Sequence, residues 1–331
     1  MVISLIIPTL NAENSIDALI DSILKQTRIP HEILVVDSQS EDETVEHVKR
    51  YPEVKVITVN RASFDHGGTR DMALRFCAGD IVFFMTQDAI PVDEYYIERL
   101  LTLFDDERVA AVGGRQIAKP DATRWEQLVR EHNYPAFTRV WDRSAIERMG
   151  VRAFMISDTC AAYRRDAYLA VGGFDYPIMI NEDMLMAQKL LAAGYAVGYN
   201  GDAAVYHSHN MTLLQQYRRN YVVGRTMKRY EERFCHVKEM TEGIKLVKAV
   251  LKQLISEKRI LGSIAFCLDC AARLLGNRVG KWREKRKMNS AACLNIQYDS
   301  VSYKSCVIYR LTNRVTLYIV KQCFPAEVPQ Q

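Results

Sequence analysis

No glycine-rich turn follows the first apolar segment of this sequence. Residues 8–13 read Pro-Thr-Leu-Asn-Ala-Glu, at the place where dinucleotide-binding folds carry Gly-x-Gly-x-x-Gly. A nicotinamide-dependent dehydrogenase is therefore disfavoured. A nucleotidyltransferase should carry a glycine-rich loop with Lys or Arg at the same place, so this absence also weakens that alternative.

Long apolar runs and paired metal-binding cysteines are missing too. Residues 260–268 form an apolar run of nine residues before Asp269 interrupts it, whereas a bilayer-spanning helix needs about 20. The chain has eight cysteines, but the Cys267-x-x-Cys270 pair lacks a second pair to complete a zinc site. We therefore expect no membrane-spanning helix, no zinc cluster and buried, reduced thiols.

The sequence also lacks a basic leader segment and a recognisable nucleic-acid-binding module. Met1 leads directly into the strand-like residues 2–7. We therefore expect a cytoplasmic protein without a signal peptide and without a nucleic-acid partner.

What the sequence does contain is enough apolar surface for a large core. Its 331 residues are 48% hydrophobic, which suits one domain of roughly 200 to 250 residues with a smaller appendage. Residues 1–224 hold 23 Lys and Arg against 31 Asp and Glu, a net charge of −8, and residues 225–287 hold 17 against 7, a net of +10. An acidic body therefore carries a basic arm.

Short apolar runs alternate with amphipathic stretches, which is the pattern of βαβ units. The predicted strands are residues 2–7, 33–36, 54–59, 81–85, 109–112, 160–163, 197–199 and 203–206. The predicted helices are residues 14–26, 40–50 and 182–193, and another helix opens at Gly67 and Gly68. The predicted fold class is α/β, a Rossmann-like, mostly parallel sheet flanked by helices, and residues 119–151 are expected to be irregular.

Asp88 follows the apolar strand 81–85 directly. Open α/β sheets bind ligands at the carboxyl ends of their strands, so Asp88 is placed to hold a divalent cation beside a diphosphate. His207 and His209 would add an imidazole to the metal or a donor to phosphate. The plain alternatives are a turn acid and a solvated histidine pair.

Two further clusters suit proton transfer and phosphate binding. Glu182 and Asp183 begin a predicted helix, where the dipole favours acids, but a carboxylate there can also take a proton from an attacking hydroxyl group. Gln215, Arg218 and Arg219 follow at helical spacing, and guanidinium groups there would neutralise a leaving diphosphate.

Asp37 and Arg70 carry weaker signals. Asp37 ends the second predicted strand and would contact a nucleoside, or serve only as an acid at the start of the next helix. Arg70 follows a glycine pair that lets the backbone approach a ligand, and its guanidinium suits phosphate. A glycine-opened helix has the same pattern.

In this order the segments resemble the successive motifs of family 2 glycosyltransferases with the GT-A fold, over about residues 1–225. The segments are Pro8-Thr9-Leu10-Asn11, Val35-Val36-Asp37-Ser38, Thr86-Gln87-Asp88-Ala89, Asn181-Glu182-Asp183 and Gln215-x-x-Arg218-Arg219. More narrowly, residues 64–70, 86–89 and 207–210 are similar to bacterial rhamnosyltransferases that build cell-surface polysaccharides from dTDP-L-rhamnose.

The resemblance implies an inverting, metal-dependent sugar transfer to a hydroxyl group of a growing, lipid-linked polysaccharide. It implies that Asp183 is the base with Glu182 beside it, and that Asp88 holds Mg²⁺ or Mn²⁺ with His207 and His209. It assigns the binding of the nucleotide sugar to Pro8, Thr9, Asn11, Glu13, Asp37, Arg70, Gln87, Gln215, Arg218 and Arg219. The sequence departs from the family at Thr86, where the family usually carries the first Asp of Asp-x-Asp, although the rhamnosyltransferase subgroup shares this change.

The basic arm predicts an amphipathic helix, because apolar pairs recur every four residues from Leu246 to Ile255 between lysines. With the basic residues of 278–287 it would bind the anionic inner face of the cell membrane. The alternative is a helical subdomain packed on the body or on a second copy of the chain.

The sequence therefore predicts three domains and leaves two other functions open. The domains are a catalytic domain of residues 1–225, a basic helical region of residues 226–287 and an extension of residues 288–331, of unknown role, with strand-like residues 298–319. The other functions are a catalytically silent glycan-binding or scaffold subunit of a polysaccharide assembly complex, and a sugar nucleotidyltransferase.

Overall fold

One mixed sheet of nine strands lies at the centre of the computed structural model, which describes residues 1–234 and 240–294. The strands are β1 (Ile3–Thr9), β2 (Glu32–Asp37), β3 (Val54–Thr58), β4 (Ile81–Met85), β5 (Ile90–Pro91), β6 (Val109–Ile117), β7 (Arg139–Trp141), β8 (Cys160–Arg164) and β9 (Ala196–Tyr206). The helices are α1 (Ile16–Leu24), α2 (Thr44–Val48), α3 (His66–Arg75), α4 (Tyr96–Thr102), α5 (Arg124–Asn133), α6 (Ile146–Met149), α7 (Arg165–Ala170), α8 (Glu182–Ala192), α9 (Leu213–Arg229), α10 (Glu231–Phe234), α11 (Met240–Ser256) and α12 (Ile260–Leu294).

The sheet is buried on both faces because its strands are apolar at nearly every position. Successive side chains of a strand point to opposite faces. In β4, Phe83 packs into the core on one face with α1 and α4, and Phe84 packs into the core on the other face with α3 and α8. Strands of this kind read as continuous apolar runs, which is why the sequence predicted them well.

The strand order β3-β2-β1-β4-β8-β6-β9-β5 places a topological switch point between β1 and β4. The pairs β1–β2, β1–β4, β2–β3 and β6–β9 are parallel, whereas β8 is antiparallel to both β4 and β6. The predicted α/β class is confirmed, and the sheet is mixed. Ligands of open α/β sheets bind at such a switch point, outside the carboxyl ends of the strands.

The expectation of an irregular segment at residues 119–151 is wrong. This segment contains helices α5 and α6 and strand β7. Helix α5 was hidden because its apolar side chains Leu128 and Val129 pack against α11 rather than against the sheet. The apolar stripe of α5 is therefore short and lies among many charged residues.

The apolar stripe of α11 packs on the body of the protein. Val250 and Leu254 are buried against Leu128 and Val129 of α5 and Phe266 of α12. The structure therefore supports the alternative of a packed helical subdomain for α11. Residues Met1–Trp282 form one compact unit and a second begins at Arg283, while the predicted boundaries after residues 225 and 287 stay predictions.

Helix α12 corrects two expectations from the sequence. Cys267 is exposed rather than buried, and Cys270 is half-buried. By length and composition, residues Ile260–Asn289 of the described chain contain one stretch long and apolar enough to cross a membrane, with a mean hydropathy of 1.4. Asp269 lies within this stretch, and its carboxylate accepts a hydrogen bond of 2.6 Å from Arg273 one helical turn later.

Two glycines of α12 allow it to touch the backbone of α9. A Cβ atom on Gly276 would lie 2.3 Å from the Tyr217 carbonyl oxygen, and one on Gly280 would lie 2.1 Å from the Tyr221 carbonyl oxygen. Any side chain at these positions would push the two helices apart. The predicted strands of residues 298–319 lie outside the described residues.

Candidate active site

The carboxyl ends of β1 and β2 are joined by a buried carboxylate. Asp37, 1% exposed, accepts hydrogen bonds from the Thr9 hydroxyl (3.1 Å), the Ser40 hydroxyl (2.5 Å) and the Ser40 N–H (2.9 Å). The side-chain oxygen of Asn11 accepts a hydrogen bond from the next loop, at the Glu41 N–H. These contacts order the loop, and the predicted nucleoside contact of Asp37 stays a prediction.

The same loop region holds Pro8, Glu13 and Gln87. Pro8 pairs with Val36 in the sheet, and a Glu13 carboxylate oxygen accepts a hydrogen bond from the Glu43 N–H. The Gln87 side chain makes both hydrogen bonds to the Leu10 peptide, accepting from its N–H (2.8 Å) and donating to its carbonyl oxygen (3.1 Å). The loops after β1 and β4 are thereby fixed to one another.

Asp88, His207 and His209, which we call the metal group, come together at the carboxyl ends of β4 and β9. Their ligand atoms all lie within 4.8 Å of one another. The Nε2 atoms of His207 and His209 each lie 3.6 Å from an Asp88 carboxylate oxygen, and Lys119 Nζ lies 3.9 Å away. The structure brings together the one carboxylate and the two imidazoles that the sequence predicted as metal ligands, and their role as ligands stays a prediction.

A buried amide stands behind the metal group. Gln116, 2% exposed, has its Oε1 atom 2.8 Å from His207 Nδ1. The same oxygen accepts a short hydrogen bond from Arg130, and the Gln116 amide nitrogen donates to the Tyr134 hydroxyl. Because an amide oxygen only accepts, His207 must carry its proton on Nδ1, which leaves a lone pair on Nε2 facing Asp88.

Electrostatics keep this group in the state that binds metal. Burial lowers the pKa of His207 to about 3 and also lowers the pKa of His209. Burial acts to raise the pKa of Asp88, but its electrostatic interactions with His207, His209 and Lys119 and a hydrogen bond with Thr86 outweigh burial and hold that pKa below its ordinary value. At neutral pH the imidazoles are neutral and Asp88 is ionised.

This donor set fits a divalent cation. Carboxylate oxygens suit Mg²⁺ and Mn²⁺, whereas neutral imidazole is a poor ligand for Mg²⁺ and an accepted one for Mn²⁺. The imidazole fixed by Gln116 is the arrangement found around ligating histidines. Three protein ligands also leave positions for phosphate oxygens.

A second set of charges, which we call the base cluster, surrounds Asp183 at the start of α8. Its members are His66, Arg70, Asp158, Glu182 and Asp183. The Asp183 carboxylate accepts hydrogen bonds from the Met184 N–H (2.7 Å) and the Asp158 N–H (3.3 Å). Asn181, which precedes the helix, has a positive φ of 67°, a conformation that asparagine tolerates better than most residues.

Arg70 is the central cation of the base cluster. Its Nη1 atom lies 3.1 Å from Glu182 Oε1 and 3.0 Å from His66 Nδ1, and its Nε atom lies 3.7 Å from Asp158 Oδ2. Arg70, Asp158 and Glu182 are all buried. This placement corrects the expectation that Arg70 binds a donor phosphate, because its guanidinium is enclosed by carboxyl groups.

The crowding of buried carboxyl groups in this cluster raises the proton affinity of Asp183 and of Asp158. Burial and the charges of Glu182 and Asp158 raise the pKa of Asp183 well above its ordinary value. Burial, helped by Glu182 and opposed by Arg70, raises the pKa of Asp158 to about 7. Asp183 is therefore a stronger base than an exposed aspartate.

Helix α9 carries the predicted Gln215, Arg218 and Arg219. The Gln215 carboxamide closes a capping box with Thr212, and the side chains of all three predicted residues are exposed. The positive charge of Arg219 contributes, after burial, to lowering the pKa of both His209 and His66. The Thr86 N–H donates to the Thr159 carbonyl oxygen at 3.3 Å, so the loop that carries Asp88 adjoins the loop that carries Asp158, and the metal group and the base cluster lie next to one another.

A cavity of about 230 Å³ adjoins this site between the end of β6 and α5. Arg115, Gln116, Lys119, Arg130 and Tyr134 contribute to its walls. Lys119 and Gln116 also contact the metal group, so the cavity provides positively charged space next to it.

Sequence reasoning missed Gln116, Arg130 and Asp158. Asp158 precedes β8, which pairs antiparallel with β4. This pairing brings the loop before β8 to the carboxyl end of β4, where the Thr86 N–H donates to the Thr159 carbonyl oxygen. Nothing local distinguishes Asp158 from a loop acid. The available signal was an acid next to a buried strand: Asp158 comes just before such a strand, and Asp88 comes just after one.

Known proteins are similar to this chain in sequence and in fold. The family described as Glycosyl transferase family 2 matches residues 4–172. The O-antigen chain rhamnosyltransferase RfbN of Salmonella typhimurium is 37% identical over 225 residues, covering 68% of this chain and 72% of that protein. The O-antigen chain rhamnosyltransferase WbaN of Salmonella anatum is also 37% identical, covering 67% and 70%.

A solved structure shows the same fold. The mannosyltransferase PcManGT from Pyrobaculum calidifontis, in complex with GDP-Man and Mn²⁺, superposes with a TM-score of 0.52 and 19% identity, covering 96% of this chain and 84% of that one.

Proposed function

The chain belongs to glycosyl transferase family 2 and is a glycosyltransferase, and from this premise we propose that it transfers L-rhamnose from dTDP-L-rhamnose to a hydroxyl group of a lipid-linked oligosaccharide. The transfer inverts the anomeric centre and requires a divalent cation. One observation carries the proposal: the metal group and the base cluster lie on adjoining loops, which are joined by the hydrogen bond from the Thr86 N–H to the Thr159 carbonyl oxygen. The names of the two rhamnosyltransferases support the choice of rhamnose as the transferred sugar.

Asp183 is the base in this proposal. Its carboxylate takes the proton of the acceptor hydroxyl while that oxygen attacks the anomeric carbon of the donor. The bond between this carbon and the diphosphate oxygen breaks, and its electron pair leaves with the nucleoside diphosphate. One displacement inverts the anomeric centre.

The opposite end of the site stabilises the leaving group. Asp88, His207 and His209 would hold the cation, which when bound supplies positive charge to the departing diphosphate. Arg219 and Lys119 add charge beside it. Because two of the three ligands are imidazoles, we propose Mn²⁺ rather than Mg²⁺ as the resident metal, and the Mn²⁺ in the mannosyltransferase structure supports this choice.

The exposed face of α12 suits a membrane surface, where a lipid-linked acceptor would be found. Leu261 is 83% exposed, and Ile264 and Leu268 continue the same apolar face. Basic residues are dense in the sequence of residues 278–287, which favours anionic lipid. Because α12 packs along α9, we propose that this helix lies on the cytoplasmic face of the membrane instead of crossing it.

Transfer by the purified full chain tests the proposal. We expect dTDP-L-rhamnose, but not UDP-glucose or GDP-mannose, to label a lipid-linked oligosaccharide in the presence of Mn²⁺, with chelator abolishing the signal. Asp183→Asn should lower the rate by about 10²–10⁴ while leaving dTDP binding intact. Asp202→Asn, at an exposed site in β9, is the matched control and should keep the wild-type rate.

Other results would point elsewhere. Labelling from a different donor would reject the rhamnose assignment but keep the transferase. Near-normal transfer by Asp183→Asn would reject Asp183 as the base. Glycan binding without turnover on any donor would indicate a silent scaffold subunit.

A further inference from the structure

Asp158 is a buried acid of the base cluster to which neither the motifs nor the proposed reaction gives a role. It is 2% exposed and lies just before β8, in contact with both Asp183 and Arg70. Its Oδ1 atom accepts a 2.7 Å hydrogen bond from the buried Tyr163 hydroxyl. Its Oδ2 atom has no hydrogen-bond partner among the described residues and faces Arg70 Nε, which has none either.

This arrangement gives Asp158 two separate effects on Asp183. Its peptide N–H donates to Asp183 Oδ2 at 3.3 Å and fixes the orientation of that carboxylate. Its carboxylate adds negative charge nearby, while the guanidinium of Arg70 is closest to Glu182 at 3.1 Å. The carboxylates that Arg70 contacts are those of Glu182 and Asp158.

We propose that Asp158 is a positioning residue for the candidate base: its N–H orients the Asp183 carboxylate, and its buried carboxylate makes Asp183 hold the proton from the acceptor more tightly. This inference rests on the proposed function, in which that proton moves from the acceptor oxygen to Asp183. Asp158 itself touches neither substrate nor metal in this account. It acts only through Asp183.

The ionisable groups around Asp183 come from every element that packs against it. They are Glu182 in α8, Asp158 before β8, Tyr163 in β8, Arg70 and His66 in α3, Tyr134 after α5 and Arg219 in α9. Burial, assisted by the charge of Arg70, lowers the pKa of His66 to about 4, so His66 is neutral where transfer is measured. Replacing Asp158 by a neutral residue removes a 3.7 Å contact of Arg70, whereas replacing Glu182 would remove a closer contact of 3.1 Å.

The pH profile of transfer distinguishes this role from a structural one. Asp183 must be ionised to act, so the rate falls on the acid side as Asp183 gains a proton. Asp158→Asn keeps the peptide N–H and removes one negative charge, so we expect the acid limb of kcat/KM to move to lower pH by about one pH unit. The rate on the plateau should fall only a few-fold, because a weaker base remains in place.

Asp71→Asn is the matched control. Asp71 is also a buried aspartate that accepts a hydrogen bond from a buried tyrosine, Tyr168 (3.0 Å), and pairs with an arginine, Arg75 (3.0 Å). It lies on α3 outside the base cluster. Its replacement should lower the melting temperature without moving the acid limb.

Tyr163→Phe provides a second variant that keeps the packing of the core. Losing the Tyr163 hydroxyl removes the hydrogen bond that favours ionised Asp158, so the acid limb should move in the same direction by a smaller amount. This variant decides the question if Asp158→Asn does not fold.

The outcomes separate this inference from the proposed function. If Asp183→Asn abolishes transfer while folded Asp158→Asn and Tyr163→Phe keep the wild-type acid limb, the role of Asp158 is rejected and the base assignment stands. If Asp183→Asn transfers normally, both fail. A shift in Asp71→Asn equal to that in Asp158→Asn would also overturn the inference, since any buried acid would then have this effect.

Discussion

At the metal group two neutral imidazoles accompany one ionised carboxylate, whereas at the base cluster three carboxyl groups share one guanidinium. Both groups lie at the carboxyl edge of the same sheet, but Arg70, Asp158 and Glu182 of the base cluster are buried, whereas His209 of the metal group is exposed. The metal group keeps its histidines neutral and its aspartate charged. The base cluster does the reverse, because crowded acids raise the proton affinity of Asp183.

The difference shows how one edge of a sheet can serve two tasks. A site for a cation needs lone pairs that no proton occupies, and burial of His207 beside Gln116 provides them. A base needs a carboxylate that gains a proton readily. The base cluster meets this need because Asp183 is buried beside two other carboxyl groups.

The largest effect should come from Asp88. We expect Asp88→Asn to lower transfer about a thousandfold, because the metal group loses its only carboxylate and the leaving diphosphate loses the charge of the cation. Mn²⁺ should no longer raise the melting temperature. Asp80→Asn, at the opposite end of β4, should behave as wild type in both measurements. Retained Mn²⁺ stabilisation in Asp88→Asn would remove this residue from the metal group.

A smaller effect is expected at Gln116. Gln116→Leu frees the Nδ1 atom of His207 from its acceptor, so we expect Mn²⁺ affinity, measured by calorimetry, to fall about 10- to 100-fold. Gln127→Leu changes another amide on the wall of the same cavity, one that bonds the Ala122 carbonyl oxygen, and should leave the affinity unchanged. Equal affinities in the two variants would contradict an orienting role for Gln116.

The smallest effect should come from Arg219, which contributes to both groups without being central to either. We expect Arg219→Gln to lower kcat/KM about tenfold, the loss of one charge-assisted contact to the diphosphate. Arg108→Gln, which removes a guanidinium that pairs with Asp106 on the exposed surface, serves as the control. A change in Mn²⁺ affinity without a change in kcat/KM would assign Arg219 to the metal group alone.

Sequence patterns located the ends of the strands and the acids that follow them. Asp88 was found because β4 is a continuous apolar run, and Asp183 because α8 begins beside it in a helix with a clear apolar stripe. The fold class followed from the alternation of such elements. These signals are local, so they can be recognised in the sequence without knowledge of the tertiary structure.

The missed features depend on contacts between distant segments. Asp158 reaches the base cluster through the antiparallel pairing of β8 with β4, which the expected mostly parallel sheet did not include. Gln116 contacts His207, and Arg130, which lies in the segment that was expected to be irregular, donates to Gln116. Arg70 was assigned to phosphate because a guanidinium suits either anion, and only its burial among acids decides between them.

The contact between α12 and α9 limits how far the chain can be shortened. Removing residues from Gly276 onward would leave the carbonyl oxygens of Tyr217 and Tyr221 without the neighbour that now lies against them. These two residues flank Arg219 on the helix. A truncation designed to remove an apolar tail and improve expression would therefore loosen the support of a residue close to the reacting groups.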